Sequence, residues 1–124
     1  MSAQKRSDLA QELETWWAEK AQDEAMQVIP KAVEYGANSM IGLGQAMARI
    51  AGRRVDDAEA IELACMFYIE GKIGRWIDAV AAGQKVSDDT IHDIGVYARM
   101  VQRVRDVGSW PGTAASNVDP EGLF

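Results

Sequence analysis

Between Asp56 and Val107 the apolar residues recur at steps of three and four, first as Leu63, Met66, Ile73, Ile77 and Val80 and then as Ile91, Ile94, Tyr97, Ala98, Val101 and Val104. That period belongs to amphipathic helices, and it predicts two of them, over about 57–82 and 88–107. The ends are marked as well. Asp56 can cap the first helix, with Glu59 at the spacing of a capping box, and Gly83 stops it. Ser87 can cap the second, Asp88 and Asp89 favour its positive end, and Gly108 closes it. A turn as short as Gln84-Lys85-Val86 makes the two helices antiparallel neighbours.

Towards the N-terminus, Met1 to Arg6 is polar and reads as frayed, and Ser7 with Asp8 opens a helix carrying Leu9, Leu13, Trp16 or Trp17, Met26 and Ile29. Adjacent tryptophans cannot both face one core, so one of Trp16 and Trp17 is expected at a subunit interface or groove. Pro30 should kink or restart this helix, since it lacks an N–H and crowds the preceding turn. Gly36 stops it. A further helix over Ala37–Ala51, opening at Asn38 or Ser39, carries Met40, Ile41, Leu43, Met47 and Ile50. Gly42, Gly44, Gly71, Gly74 and Gly95 lie inside helical patterns, each costing about 1 kcal/mol relative to Ala, so backbones should approach closely there, as is expected at most of them, or leave room for a ligand. Beyond Gly108 the periodicity ends, and Trp110-Pro111-Gly112 reads as a turn. The expectation is an all-α bundle of four to five helices in one domain over 1–108, followed by an irregular C-terminal tail over 109–124 whose Leu123 and Phe124, with Trp110, could fold back.

Composition narrows the function classes. With 124 residues, 48% of them hydrophobic, and a net charge of −6, the chain suits one acidic domain. Nucleic acid polymers and anionic membranes both reward clustered Lys and Arg, so neither is the expected partner. The single Cys65 suits a small core residue in a reducing compartment. No membrane-length apolar run and no signal peptide stand out, which places the protein in the cytoplasm. Gly-rich phosphate loops, zinc spacings and Ser/His/Asp arrangements are absent, and His92 reads as exposed or as a simple hydrogen-bond partner.

Glu70 carries the candidate chemistry. It falls between Met66 and Ile73, on the stripe expected to face the core, and a buried carboxylate needs a cation, a metal or a proton. An ion pair with a nearby Lys or Arg is one solution, and a metal site is the other. Asp89 and Asp93, four apart, share one side of their helix. A turn centred near Gln84 sets Arg75 or Trp76 across from Asp93, making Arg75 the expected partner of Asp93. Glu70 is then offset from Asp93 by about six residues, roughly 9 Å at 1.5 Å per residue.

The runs Glu70-Gly71-Lys72-Ile73-Gly74-Arg75-Trp76 and Ser87-Asp88-Asp89-Thr90-Ile91-His92-Asp93-Ile94-Gly95-Val96-Tyr97, with Glu34-Tyr35-Gly36 upstream, resemble small bacteriophage and prophage proteins related to the MazG-like, all-α nucleoside triphosphate pyrophosphohydrolases. The likeness spans roughly Lys31 to Arg105. It implies a homo-oligomeric hydrolase that binds Mg²⁺ and cleaves a nucleoside triphosphate between its α and β phosphates. Glu34, Glu70, Asp89 and Asp93 are then the implied Mg²⁺ ligands, with Glu70 and Asp93 the catalytic pair. Lys72 and Arg75 would neutralise phosphate, and Tyr97 or Asn38 would touch sugar or base. Oxygen ligands suit Mg²⁺, which can orient a water for in-line attack. The spacing departs from the family in two places: Glu59-x-x-Glu62 sits at the far end of the hairpin, and Asp89 to Asp93 spans four residues rather than three. A non-catalytic phage-type helical protein that binds a host protein through its Trp-bearing and Gly-rich faces is the alternative expectation.

Overall fold

The computed structural model describes residues 2–113, and within them it is all-α, with four helices. These are α1 (Ala3–Tyr35), α2 (Asn38–Ile50), α3 (Asp57–Ala81) and α4 (Asp88–Val107). By its internal contacts the chain divides into two compact units, Met1–Lys31 and Ala32–Phe124. Of the tail expected over 109–124, residues 114–124, with Leu123 and Phe124, lie outside the described residues.

The start of α1 departs from expectation. The helix begins at Ala3 rather than Ser7, because the Ser2 hydroxyl accepts the Lys5 N–H at 3.2 Å and supplies the cap. It also runs through Pro30 without a break. One missing N–H removes a single hydrogen bond, which a helix this long survives. No residue of α1 is buried. Trp16 and Trp17 both lie exposed, edge to face with ring centroids 5.9 Å apart, and Lys20 Nζ sits 5.7 Å from the Trp16 ring centroid.

In the second unit the ends fall where the local chemistry puts them. Gly36, Gly52, Gly83 and Gly108 take positive φ at the four helix ends, a conformation that costs glycine nothing. The Asp56 carboxylate accepts the Glu59 N–H at 2.8 Å, but Glu59 completes no capping box; its own carboxylate turns to Arg53 at 3.0 Å. Ser87 caps α4, accepting the Thr90 N–H at 3.3 Å, with the two hydroxyls 2.9 Å apart. Asn38 opens α2 as a helical residue and Ala37 occupies the cap position without a side-chain bond.

Helix α3 is central, with α2 and α4 each packed against it. The core joins Ala37, Ile61, Cys65, Met100 and Val104, with Tyr97 and Trp110 among the half-buried groups laid against it. Close approach of α2 to α3 depends on Gly44: a Cβ there would stand 1.8 Å from the Ala60 carbonyl oxygen. Gly42, Gly71, Gly74 and Gly95 do not share this role. A Cβ at any of these four would meet nothing within 4 Å, so the expected close packing holds only at Gly44. Past α4 the chain turns at Trp110-Pro111-Gly112, where the Thr113 N–H bonds the Trp110 carbonyl at 2.9 Å, and Gly112 abuts the backbone of Ala37.

Candidate functional site on the α3–α4 seam

Two stripes with helical spacing run along α3, and the structure buries the less apolar one. Ile61, Cys65, Tyr68 and Lys72 follow one another at i, i+4, i+7 and i+11 on the side shared with α4. Met66, Glu70, Ile73, Ile77 and Val80 keep the same spacing on another side, and all five are exposed. The sequence expectation that this stripe faces the core is therefore corrected. Glu70 does lie on the stripe, but among the described residues it faces solvent and makes no ion pair.

The partner of Asp93 changes too. Lys72 Nζ stands 2.9 Å from Asp93 Oδ2, with the lysine side chain only 18% exposed and the aspartate side chain 38%. Arg75, the expected partner, is exposed. Arg75, three residues on, shares that side but stands about 4.5 Å farther along the axis at 1.5 Å per residue, so the level along the helix decides between them. Next to this pair the rings of Tyr68 and Tyr97 stack, centroids 5.3 Å apart and planes inclined by 19°. Burial first, and the Asp93 carboxylate second, hold the Tyr97 hydroxyl above its ordinary range, so it stays protonated as a donor. Sequence reasoning passes over Tyr68, although its place four residues before Lys72 puts both on one side of the helix.

A second clasp ties α3 to α4 nearer the core. Arg105 reaches Glu62 through two hydrogen bonds, Nε to Oε1 at 2.6 Å and Nη2 to Oε2 at 2.8 Å. That fork lowers the Glu62 carboxyl below its ordinary 4.5, chiefly through the hydrogen bond itself. Cys65 lies fully buried beside the seam, and burial, with a smaller contribution from Glu62, pushes its thiol up to about 12. It is an inert core thiol.

The carboxylates implied as metal ligands do not converge within one chain. Glu34, Glu70 and Asp89 are exposed, Asp93 is taken by Lys72, and among the described residues no group of three or more His, Cys, Asp or Glu side chains could hold a metal ion. The physical reason is angular: Glu70 lies two positions from Lys72, and residues two apart on a helix point in opposed directions. Asn38 is exposed and Tyr97 half-buried, so of the implied nucleotide-binding set only Lys72 and Tyr97 share the seam with Asp93.

The exposed stripe has its own geometry. Ile73, Trp76, Ile77 and Val80 line an open apolar groove of about 280 Å³, and Ile77 is 62% and Val80 66% exposed. No helix among the described residues is long and apolar enough to cross a membrane. Comparison with family models, with curated proteins and with solved structures finds no match to this chain.

Proposed function

We propose that this protein is a self-associating helical binding protein whose working surface is the outward apolar stripe of α3. One observation carries the reading: the most apolar face of the central helix, with Met66, Ile73, Trp76, Ile77 and Val80, lies exposed. Isolated exposed apolar side chains are ordinary, but a row of them along a central helix, broken only by Glu70, marks an interaction site. Association would remove that row from water at about 25 cal/mol per Å². Since binding stabilises the folded form by mass action, Tm should rise with protein concentration. An Ile77→Asp variant, altered at an exposed position, should fold normally and lose that dependence. A wild-type Tm that stays constant over a hundredfold concentration range would count against the reading.

A second reading is favoured by one pairing. Lys72, Asp93 and Tyr97 come together on the seam and are three of the residues implied for Mg²⁺-dependent nucleotide binding and pyrophosphohydrolysis. On this reading Asp93 would exchange Lys72 for Mg²⁺, and the freed ammonium would turn to phosphate. Incubation with mixed nucleoside triphosphates and Mg²⁺ tests it. Release of nucleoside monophosphate and pyrophosphate, lost in Asp93→Asn, supports it; no product and no Mg²⁺ heat by calorimetry removes it.

A further inference from the structure

A face suited to the α3 stripe can be read from the exposed residues of α1. On α1, Leu9, Leu13, Trp16 and Lys20 follow at steps of four, three and four, and all four are exposed. On α3, read backwards, Val80, Ile77, Ile73 and Glu70 follow at steps of three, four and three. Set antiparallel, the two rows interleave as the knobs of one helix enter the holes of the other. Leu9 falls against Val80, Leu13 against Ile77 and Trp16 against Ile73. The next position brings Lys20 opposite Glu70. Run parallel from the same charged pair, the rows would instead set Leu9 against Glu59, a polar position.

We infer that α1 of a second copy of this chain lies antiparallel along the α3 stripe, with its Lys20 paired to Glu70. The inference rests on the stripe being an interface and names what occupies it. Charge complementarity supports the choice of occupant. Glu70 is an acid within an otherwise apolar row, and covering it requires a cation at that level. Lys20 stands at that level, already drawn over the apolar surface of Trp16, whereas the exposed row Met26, Ile29 and Val33, whose steps also fit, brings no cation opposite Glu70. A two-fold axis would repeat the pairing, α1 of each copy on α3 of the other, giving an isologous dimer with two Lys20–Glu70 contacts.

The test is a charge reversal on the full chain, followed by sedimentation. Lys20 and Glu70 are both exposed, so single reversals leave the fold of each copy intact. Lys20→Glu or Glu70→Lys should each raise the dimer Kd roughly a hundredfold, about tenfold for each of the two like-charge contacts created. The double variant K20E/E70K should recover association to within about tenfold of wild type. A carbodiimide, which joins an amine to a carboxylate at contact distance, should link Lys20 to Glu70 between isotopically heavy and light copies in a mixed sample. Association that the double variant does not restore, with no heavy–light Lys20–Glu70 peptide, overturns the inference while leaving the stripe an interface for another surface. A chain that does not associate at all overturns both.

Discussion

Replacing Gly44 with alanine should destabilise the protein, whereas the same replacement two residues earlier at Gly42 should stabilise it. Both glycines lie inside α2, and both substitutions gain helix propensity of about 1 kcal/mol. At Gly42 nothing stands within 4 Å of the new methyl group, so the gain is kept. At Gly44 the methyl carbon would stand 1.8 Å from the Ala60 carbonyl oxygen and 2.4 Å from its carbon. These are backbone atoms of α3 and cannot rotate aside. Reaching an ordinary contact of 3.4 Å requires α2 to move out by about 1.6 Å, the difference of the two distances. A gap of that size along Ala48, Ala60 and Ala64 forfeits much of their dispersion contact, and overpacking of this kind costs about 1–3 kcal/mol or more. With the propensity gain subtracted from the upper end of that range, a net loss of about 2 kcal/mol is expected, or roughly 6–12 °C in Tm for a chain of 124 residues. Urea titration followed by far-ultraviolet circular dichroism, at one fixed protein concentration, measures it. Gly44→Ala and Gly42→Ala shifting stability in the same direction would refute the close contact of α2 and α3.

Three further outcomes follow from the seam. Exchanging Lys72 for Met and Asp93 for Asn, singly and together, should give a coupling of about 1 kcal/mol in a double-mutant cycle, because the pair is partly sheltered; Arg75→Met combined with Asp93→Asn should show none. Glu62 has a folded pKa held below the 4.5 of the free side chain by Arg105, so its contribution is present above pH 4.5 and is lost as the pH falls through the lowered value. Glu62→Gln should therefore be less acid-sensitive than wild type in urea melts, by a small margin because Arg105 is well exposed. Cys65, with a thiol raised from 9.0 to about 12, stays protonated in the fold while the unfolded chain ionises from pH 9 upward, so this residue's stabilising contribution is present below pH 9 and lost as the pH rises towards 12. At pH 8 it should react with a disulfide reagent only after denaturant is added, and prompt labelling of the folded protein would contradict its burial.

What could be read from the residues was local. Asp56 and Ser87 cap their helices by bonds to a backbone N–H three residues on, and Gly36, Gly52, Gly83 and Gly108 end helices through positive φ, so each of these signals is complete within a few positions. Ser2 works the same way, though a polar run disguised it. Facing is different, because period alone says that a face exists and not what it meets. On α3 the stripe from Met66 to Val80 is the more apolar of the two and was the natural choice for the core. The chain instead buries Ala60, Ile61, Ala64 and Cys65, and the small Ala60 lets α2 come close at Gly44. Those alanines opposite a helical glycine were the available signal. The buried side turns Glu70 outward, and the register of α3 against α4 sets Lys72 and not Arg75 at the level of Asp93. The metal-site expectation depended on the opposite choice of face. With Glu70 turned outward and Asp93 paired to Lys72, no group of three or more of these carboxylates gathers among the described residues.

Sedimentation equilibrium of the wild-type chain beside an Ile73→Asp/Ile77→Asp variant tests the interface on α3 most directly. The wild type should show a mass rising with concentration to at least twice the 13.6 kDa of one chain, and the variant should remain at 13.6 kDa. A wild-type chain that stays at 13.6 kDa up to hundreds of micromolar, or a variant that associates as the wild type does, would contradict it.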